Sequence, residues 1–329
     1  MSGGLRWALI GASTIARERM ITAIRAAGGT ITAVQSGNLD RARAFASDFA
    51  LPMATNQVAE AVTNADAVYV SSINASHCAD AMQALHMGCH VLCEKPVATN
   101  LNDARAMTVA AGTTGRVLAV NHHLRHNAVQ REIRNAIMSG RIGTVRAVTL
   151  SNAGWLPEHL RGWRLNGPGA GIALDRSVHD IDLLRFLLGA DPQWVTATVS
   201  GPDGAAPHAI MGTLDFGPNL TAQFHDDFDA PFGQTRLEII GDAGRLIAED
   251  CLSGRPAGSL TQYDQGGARA LPILHTDPYA ALVDNFHQAV REGAPIAASG
   301  HDGAIALASA LAAVQSAKTG IRTAIGSFP

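Results

Sequence analysis

The sequence predicts an α/β protein in two parts: an N-terminal Rossmann-type, doubly wound parallel sheet over residues 1–122, and a C-terminal α+β domain over residues 123–329 built on a largely antiparallel open sheet. Three observations predict it. Short apolar runs alternate with helical patterns from residue 5 to about residue 120, the grammar of a parallel sheet wound by helices. Beyond about residue 121, strand-like runs follow one another directly, separated by turn signals such as Gly217-Pro218-Asn219 and Gly241-Asp242-Ala243-Gly244. Finally, Gly11-Ala12-Ser13-Thr14-Ile15-Ala16 joins the first apolar run to the first helix, the context a dinucleotide fingerprint requires.

In the first part the expected strands are Leu5–Ile10, Thr30–Gln35, Ala67–Val70, His90–Cys93 and Arg116–Val120. Helices are expected from about Thr14 to Ala27, over Asp40–Phe49, over His77–Met87 and over Leu101–Ala111. Asn100 and Asp103 resemble a capping box that opens the last of these, with aspartate in place of the usual Glu or Gln. In the second part a helix carrying Ile133, Ile137 and Met138 on one side ends at Gly140. Strands are then expected at Thr144–Leu150, Trp194–Ser200, Ile210–Phe216, Leu220–Phe228, Arg236–Ile240 and Arg245–Glu249, interrupted by a helix near Leu174–Leu188. Residues 278–291 and 302–318 read as two closing helices. An open sheet face has to be covered by a second copy of the chain, making a homo-oligomer, or by the chain's own helices, and the pattern leaves both open.

At 329 residues and 47% hydrophobic composition, the chain has enough apolar surface for a core in each part. A net charge of −3 without any Lys/Arg block leaves no electrostatic footprint for nucleic acid or an anionic membrane. No apolar run is long enough to span a bilayer, and Met1-Ser2-Gly3-Gly4 leads so soon into a strand that no secretory leader fits, so the expected location is cytoplasmic. Four cysteines in a chain of this length point to reduced thiols rather than a disulfide framework.

In the fingerprint, Gly11 supplies the tight turn, Ser13 replaces the middle glycine and Ala16 fills the tolerated last position. The Ser13 hydroxyl is able to donate to a phosphate oxygen while the helix N-terminus supplies amides. No carboxylate stands at the tip of the second strand, which reads Val34-Gln35-Ser36-Gly37-Asn38-Leu39-Asp40-Arg41. Ser36 and Arg41 suit a ribose 2′-phosphate, favouring NADP(H); the competing reading makes Asp40 the ribose acceptor of NAD(H) and Arg41 a surface charge. The expected cofactor contacts are Gly11, Ala12, Ser13, Thr14, Ile15, Ser36, Arg41, Ser72, Asn74, His77, Glu94, Lys95 and Asn121.

Cys93-Glu94-Lys95-Pro96 ends a strand of this sheet, and Pro96 stops the ladder, so Lys95 is presented where open α/β sheets do their chemistry. On the helix near Leu174, Asp175 and His179 stand i, i+4 on one face, an acid and an imidazole for one small molecule, with Asp180 on another face. Trp163 and Arg164, in a segment ending in Asn166-Gly167-Pro168-Gly169, suit a loop where a sugar ring stacks and a guanidinium holds its hydroxyls. Asn121-His122-His123-Leu124-Arg125 follows the last Rossmann strand, again at a strand end. Cys89, His90 and Cys93, or His122, His123 and His126, are candidate metal clusters, yet no C-x-x-C pair or H-E-x-x-H helix exists and no metal is expected.

Gly11–Ala16, Gly88–Pro96, and Asp175 with His179-Asp180 together resemble the signatures of the glucose-fructose oxidoreductase / inositol dehydrogenase family over nearly the whole chain. The resemblance implies hydride transfer between a nicotinamide cofactor and a keto-sugar or polyol. It further implies Lys95 and His179 as the catalytic pair, with Asp175, Trp163, Arg164, His122 and Asn152 around the substrate, and Ser36 and Arg41 on the 2′-phosphate. The similarity is greatest to the family's NADPH-dependent keto-sugar reductases, from which Asn152 departs where a histidine is expected. The alternatives are an NAD-dependent polyol or inositol dehydrogenase, and a non-catalytic regulator that senses NADP(H) or sugar on the same fold.

Overall fold

The computed structural model describes residues 4–326, which divide into two compact units. The first comprises the chain up to Asn121 together with Tyr279–Ala304; the second comprises His122–Pro278 and the chain from Ile305 onward.

The first unit is a parallel sheet of β1 (Arg6–Ile10), β2 (Thr30–Gln35), β3 (Ala54–Thr55), β4 (Ala67–Val70), β5 (His90–Cys93) and β6 (Leu118–Val120). Their spatial order is β3-β2-β1-β4-β5-β6, so the topological switch point lies where β1 has β2 on one side and β4 on the other. The strands are apolar runs because both sheet faces are covered: Trp7, Leu9 and Tyr69 on one face and Ala8, Ile10 and Val70 on the other are all buried. Crossovers are made by α1 (Ile21–Ala26), entered through a π-helical turn over Ala16–Met20, then α2 (Leu39–Phe49), α3 (Val58–Val62), α4 (His77–His86) and α5 (Leu101–Thr114). Asn38 caps α2 by accepting from the Arg41 amide at 3.0 Å, and Asn100 caps α5 by accepting from the Asp103 amide at 3.0 Å. The two-residue β3 and five-residue α3 are too short to show any periodicity in the sequence.

In the second unit, α6 (Ala128–Met138) leads into β7 (Val145–Ala153), and α7 (Glu158–Leu165) and α8 (Val178–Leu188) follow. Then come β8 (Trp194–Ser200), β9 (Ala209–Asp215), β10 (Thr221–Asp227), β11 (Thr235–Gly241), β12 (Arg245–Glu249), β13 (Ser259–Asp264) and β14 (Gly267–Ala270). Two helices, α9 (Pro278–Glu292) and α10 (Gly300–Thr319), and a short β15 (Thr323–Ala324) close the chain. The nine strands run β14-β13-β12-β11-β7-β10-β9-β8-β15, antiparallel except where β7 and β10 pair in parallel. Alternating residues of the strands, such as Val148, Leu150, Ile210, Phe224 and Ile239, join α6, α8 and α10 in one core on one sheet face. The other face keeps Trp194, Met211 and Ile240 exposed.

The division departs from one cut at residue 122, because Tyr279–Ala304 returns to the first unit. The reason is packing on β1. Tyr279, Leu282, Val283 and Phe286 of α9 share a core with Trp7 and Leu9, and the buried Trp7 indole donates to His287 Nε2 at 3.1 Å. An amphipathic pattern tells which helix face is apolar and not which sheet receives it. Cys78, Cys89, Cys93 and Cys251 are free thiols. Among the described residues no helix is long and apolar enough to cross a membrane.

Candidate active site

All the expected cofactor residues of the first unit lie at or beyond the carboxyl ends of its parallel strands, as the sheet register requires. Gly11, just past β1, has φ +106°, and a Cβ there would stand 2.6 Å from the Ser71 carbonyl group and 2.7 Å from the Ser72 nitrogen. Glycine is thus required twice over, by backbone conformation and by the close approach of the segment after β4. The Ser13 hydroxyl donates to Ser71 Oγ at 2.8 Å and accepts from the Ala16 amide at 3.1 Å, so it caps the first helical turn and ties β1 to β4. Ala12 and Ile15 remain half-buried and Thr14 exposed in this turn.

At the end of β2, Arg41 Nε donates to the buried Ser36 hydroxyl at 2.8 Å, which fixes guanidinium and hydroxyl side by side. Asp40 turns to solvent and pairs with Arg43 at 3.5 Å. At the ends of β4, β5 and β6, Glu94 accepts from the Tyr69 hydroxyl and from Asn121 Nδ2. Burial, with Glu94 adding to it, raises the Tyr69 phenol well above its ordinary value, so Tyr69 stays a donor. The peptide between Lys95 and Pro96 is cis. His77 sets Nδ1 2.7 Å from the Pro96 carbonyl oxygen and Nε2 3.1 Å from the Ser72 carbonyl oxygen, while Ser72 Oγ donates to Asp80 at 2.6 Å. Burial pushes the His77 imidazole down, opposed by those two carbonyls, and pushes the Asp80 carboxyl up. Asn74 is buried in the short 3₁₀ turn Asn74–Ser76.

In the second unit the segment from Trp155 to Gly169, expected as a glycine-rich loop, is not continuous loop. It contains α7, which Gly162 interrupts with φ −21° and ψ −105°, and this helix carries Trp163 and Arg164. The Arg164 guanidinium lies 4.6 Å from the Trp163 ring centroid, and its Nε stands 3.4 Å from Asp175 Oδ1. Three expected substrate residues therefore come together, with the Trp163 face partly exposed. Asp175 lies in a π-helical turn, Ala173–Ser177, that precedes α8. Such turns widen a helix locally and recur at functional sites.

His179, on α8, meets two other imidazoles. His122 Nδ1 stands 3.2 Å from His179 Nδ1, and His179 Nε2 stands 3.1 Å from His123 Nδ1. Behind them Asp182, one turn on from His179, lies 3.5 Å from His122 Nδ1 and accepts from Arg125 through both oxygens, at 2.7 and 2.6 Å. Arg185 adds a longer contact of 3.5 Å to the same carboxylate. Among the described residues no group of His, Cys, Asp or Glu is arranged to hold a metal ion. Asn152, expected to touch substrate, donates its amide to buried Asp180 at 2.7 Å, and Asp226 pairs opposite Asn152 in the β7–β10 register. Burial, reinforced by Asp180, pushes the Asp226 carboxyl well above the usual carboxylate range. Asn152 is thus a donor that supports a crowded pair of carboxyls.

A family model described as an oxidoreductase family with an NAD-binding Rossmann fold matches residues 5–122, and one for the GFO/IDH/MocA C-terminal domain matches residues 130–247. The chain belongs to the GFO/IDH/MocA oxidoreductases. It is 42% identical to the 1,5-anhydro-D-fructose reductase of Ensifer adhaerens over 323 residues, 96% of this chain and 97% of that protein. It is 29% identical to the inositol 2-dehydrogenase of Rhizobium meliloti strain 1021, over 95% of this chain and 96% of the relative. The aldose-aldose oxidoreductase from Caulobacter crescentus, solved with glycerol, superposes with a TM-score of 0.90 over 97% of this chain and 99% of that one, and at 23% identity this shows the shared fold.

In this GFO/IDH/MocA oxidoreductase, Asp182 has no role in the sequence reading, and His123 enters it within the strand-end segment Asn121–Arg125 and a rejected metal cluster, without the partner it meets. The His122-His123 pair and the His179, Asp182 spacing are visible signals, but 56 and 57 residues separate the imidazoles that meet. Nothing local announces such a contact.

Proposed function

We propose that the protein reduces the ketone of a 1,5-anhydro-D-fructose-like keto-sugar with NADPH. The observation that carries the substrate is the 42% identity, over nearly the full length of both chains, to a reductase of that name. The cofactor choice is supported by Ser36 and Arg41, locked together at the end of β2 while Asp40 pairs with Arg43 in solvent. A hydroxyl and a planar cation form a donor set for a 2′-phosphate, whereas a ribose 2′-hydroxyl calls for a carboxylate acceptor.

The residues fit the dinucleotide. Gly11, Ala12, Ser13, Thr14 and Ile15 form the turn for its pyrophosphate, Ser36 and Arg41 take its 2′-phosphate, and Ser72, Asn74, His77, Glu94, Lys95 and Asn121 line its remaining length. When bound, the cofactor supplies the hydride. Lys95 and His179 share the acid role, holding and handing over the proton that the ketone oxygen gains. Asp175, Trp163 and Arg164 orient the sugar, the ring stacking on the indole while carboxylate and guanidinium hold its hydroxyls. His122 keeps the His179 ring in place at Nδ1. Glu94, fastened by Tyr69 and Asn121, stiffens the turn that presents Lys95.

The test is NADPH oxidation at 340 nm against a panel of keto-sugars that includes 1,5-anhydro-D-fructose, with NAD-dependent oxidation of myo-inositol run in parallel. Turnover of inositol with NAD and none of keto-sugars would replace the reading with that of a dehydrogenase; tight NADPH binding without turnover would leave a sensor. Arg41→Ala is expected to raise the KM for NADPH about 10-fold or more, the worth of one charge-assisted contact, and to leave the KM for NADH unchanged. An unchanged KM for NADPH would remove Arg41 from the phosphate site.

A further inference from the structure

We propose that Asp226 and Asp180 share one proton inside the second unit, and that this proton fastens the helical segment carrying Asp175 and His179 to the sheet. The inference rests on the reductase reading above only for why the place of His179 matters.

Asp226 is badly placed for an ionised carboxylate. It lies on the core face of β10, in register with buried Ile210 on β9 and with Asn152 on β7, and both Asp226 and Asp180 are fully buried. Among the described residues neither Asp226 oxygen accepts from an amide, an ammonium or a guanidinium. The groups opposite it are the Asp180 carboxyl and the Ser177 hydroxyl, and that hydroxyl has no other partner among the described residues. Arg176 brings one positive charge close by, held by its donation to the Asn152 and Asp227 carbonyl oxygens at 2.9 and 2.5 Å. One guanidinium offsets one carboxylate, and a second buried charge without a donor is a cost that folds avoid. The Cys251 thiol near Asp180 adds no charge, because burial pushes it up to about 12. His225 and Asp227, the titratable neighbours of Asp226 along β10, alternate to the opposite face of the sheet.

A proton resolves the conflict. Protonated Asp226 donates its O–H to the Asp180 carboxylate and accepts from the Ser177 hydroxyl at its carbonyl oxygen, so the pair carries one negative charge beside one guanidinium and no polar atom of Asp226 is stranded. A carboxylate offers about four acceptor positions, so Asp180 takes this bond in addition to that from Asn152 Nδ2 at 2.7 Å, whatever else it holds. Burial, with Asp180 adding to it, raises the Asp226 carboxyl in the sense this requires.

The two bonds land on either side of His179. Ser177 closes the π-helical turn that holds Asp175, two residues before His179, and Asp180 follows His179 directly. Asp226 thus grips this stretch of helix from β10, while Asn152 grips it from β7. Loss of the proton leaves two facing carboxylates, and their repulsion moves Asp180 off the sheet and His179 with it. Asp226 acts through its neighbours and is a positioning residue.

The deciding variant is Asp226→Asn, whose amide donates to Asp180 and accepts from Ser177 but has no proton to lose. In NADPH oxidation with 1,5-anhydro-D-fructose near neutral pH its kcat should stay within about twofold of the wild type, while Asp226→Ala, which removes the donor, should lower kcat about 10-fold or more and leave the KM for NADPH unchanged. As pH rises, wild-type kcat should fall through a step that Asp226→Asn lacks; Lys95 and His179 are the same in both proteins, so the difference isolates Asp226. The wild type also loses the stability this proton supplies as pH rises from the ordinary carboxylate range towards the raised value of Asp226, so the Tm of Asp226→Asn should exceed that of the wild type by a margin that widens over this window. An Asp226→Asn variant as impaired as Asp226→Ala overturns the proposal, as do parallel Tm profiles. Two spectroscopic measurements need no substrate. The infrared C=O band of a protonated carboxylic acid should be present in the wild type at neutral pH and missing from Asp226→Asn, and the His179 ring resonances in ¹⁵N NMR should move with the ionisation of Asp226 in the wild type alone. Absence of the band, or a His179 ring that ignores the step, overturns the proposal. If band and ring shift are both found while no keto-sugar is reduced, the reductase reading has failed and the shared proton stands.

Discussion

Lys95→Ala and His179→Ala are each expected to lower kcat by about 10²- to 10⁴-fold, the usual contribution of a positioned proton donor. The two come from different parts of the chain, Lys95 from the turn after β5 and His179 from α8. They differ in what surrounds them. Glu94, next to Lys95, is fastened by a buried phenol and a buried amide, and His179 is bracketed by two imidazoles. If both groups serve a single proton transfer, the double variant is expected to be little worse than the poorer single one, because effects within one unit do not add. Steady-state kinetics on purified variants with matching thermal melts checks this, and near wild-type kcat in both single variants would end the assignment of an acid–base pair.

Asp182→Ala is expected to cost about 3–5 kcal/mol of stability, since it strands the buried Arg125 guanidinium that both carboxylate oxygens now hold. Asp182 and Arg125 are both nearly inaccessible, so water cannot replace the lost partner without opening the helix packing. At about 2–4 °C of Tm per kcal/mol for a unit of this size, the melting temperature should fall by roughly 10 °C. Replacing Arg125 and Asp182 together by apolar residues is expected to recover part of the loss, as both charges of the pair are removed and Arg185, which also touches Asp182, keeps Asp191 at 2.7 Å. Differential scanning calorimetry on the single and double variants measures it; a single variant that melts with the wild type would show that this ion pair contributes nothing to the fold.

The first unit was the more legible half because its chemistry sits at strand ends, and strand ends are local features. Gly11, Ser36, Arg41 and Lys95 each follow an apolar run by no more than a few residues, and a parallel sheet collects all such positions at one edge. Within that edge the roles were less legible. The Ser13 hydroxyl caps the first helical turn and is tied to Ser71, a partner 58 residues away that nothing local announces. Asn152 looked like a substrate contact and is a donor to Asp180, because the strand β7 extends through Ala153 and lays Asn152 beside a buried carboxyl.

By itself the sequence determined the alternation that makes a parallel sheet, the change to successive strands, the glycine that the first turn demands, and the absence of a carboxylate at the tip of β2. These are set by neighbours in the chain, through backbone sterics and hydrophobic period. Only the tertiary structure decided that α9 packs on β1, that Glu94 is bolted between Tyr69 and Asn121, and that three imidazoles and the Asp182 carboxylate meet in one cluster. Those contacts join residues far apart in sequence. Each depends on how whole helices and strands pack, which local propensity does not encode.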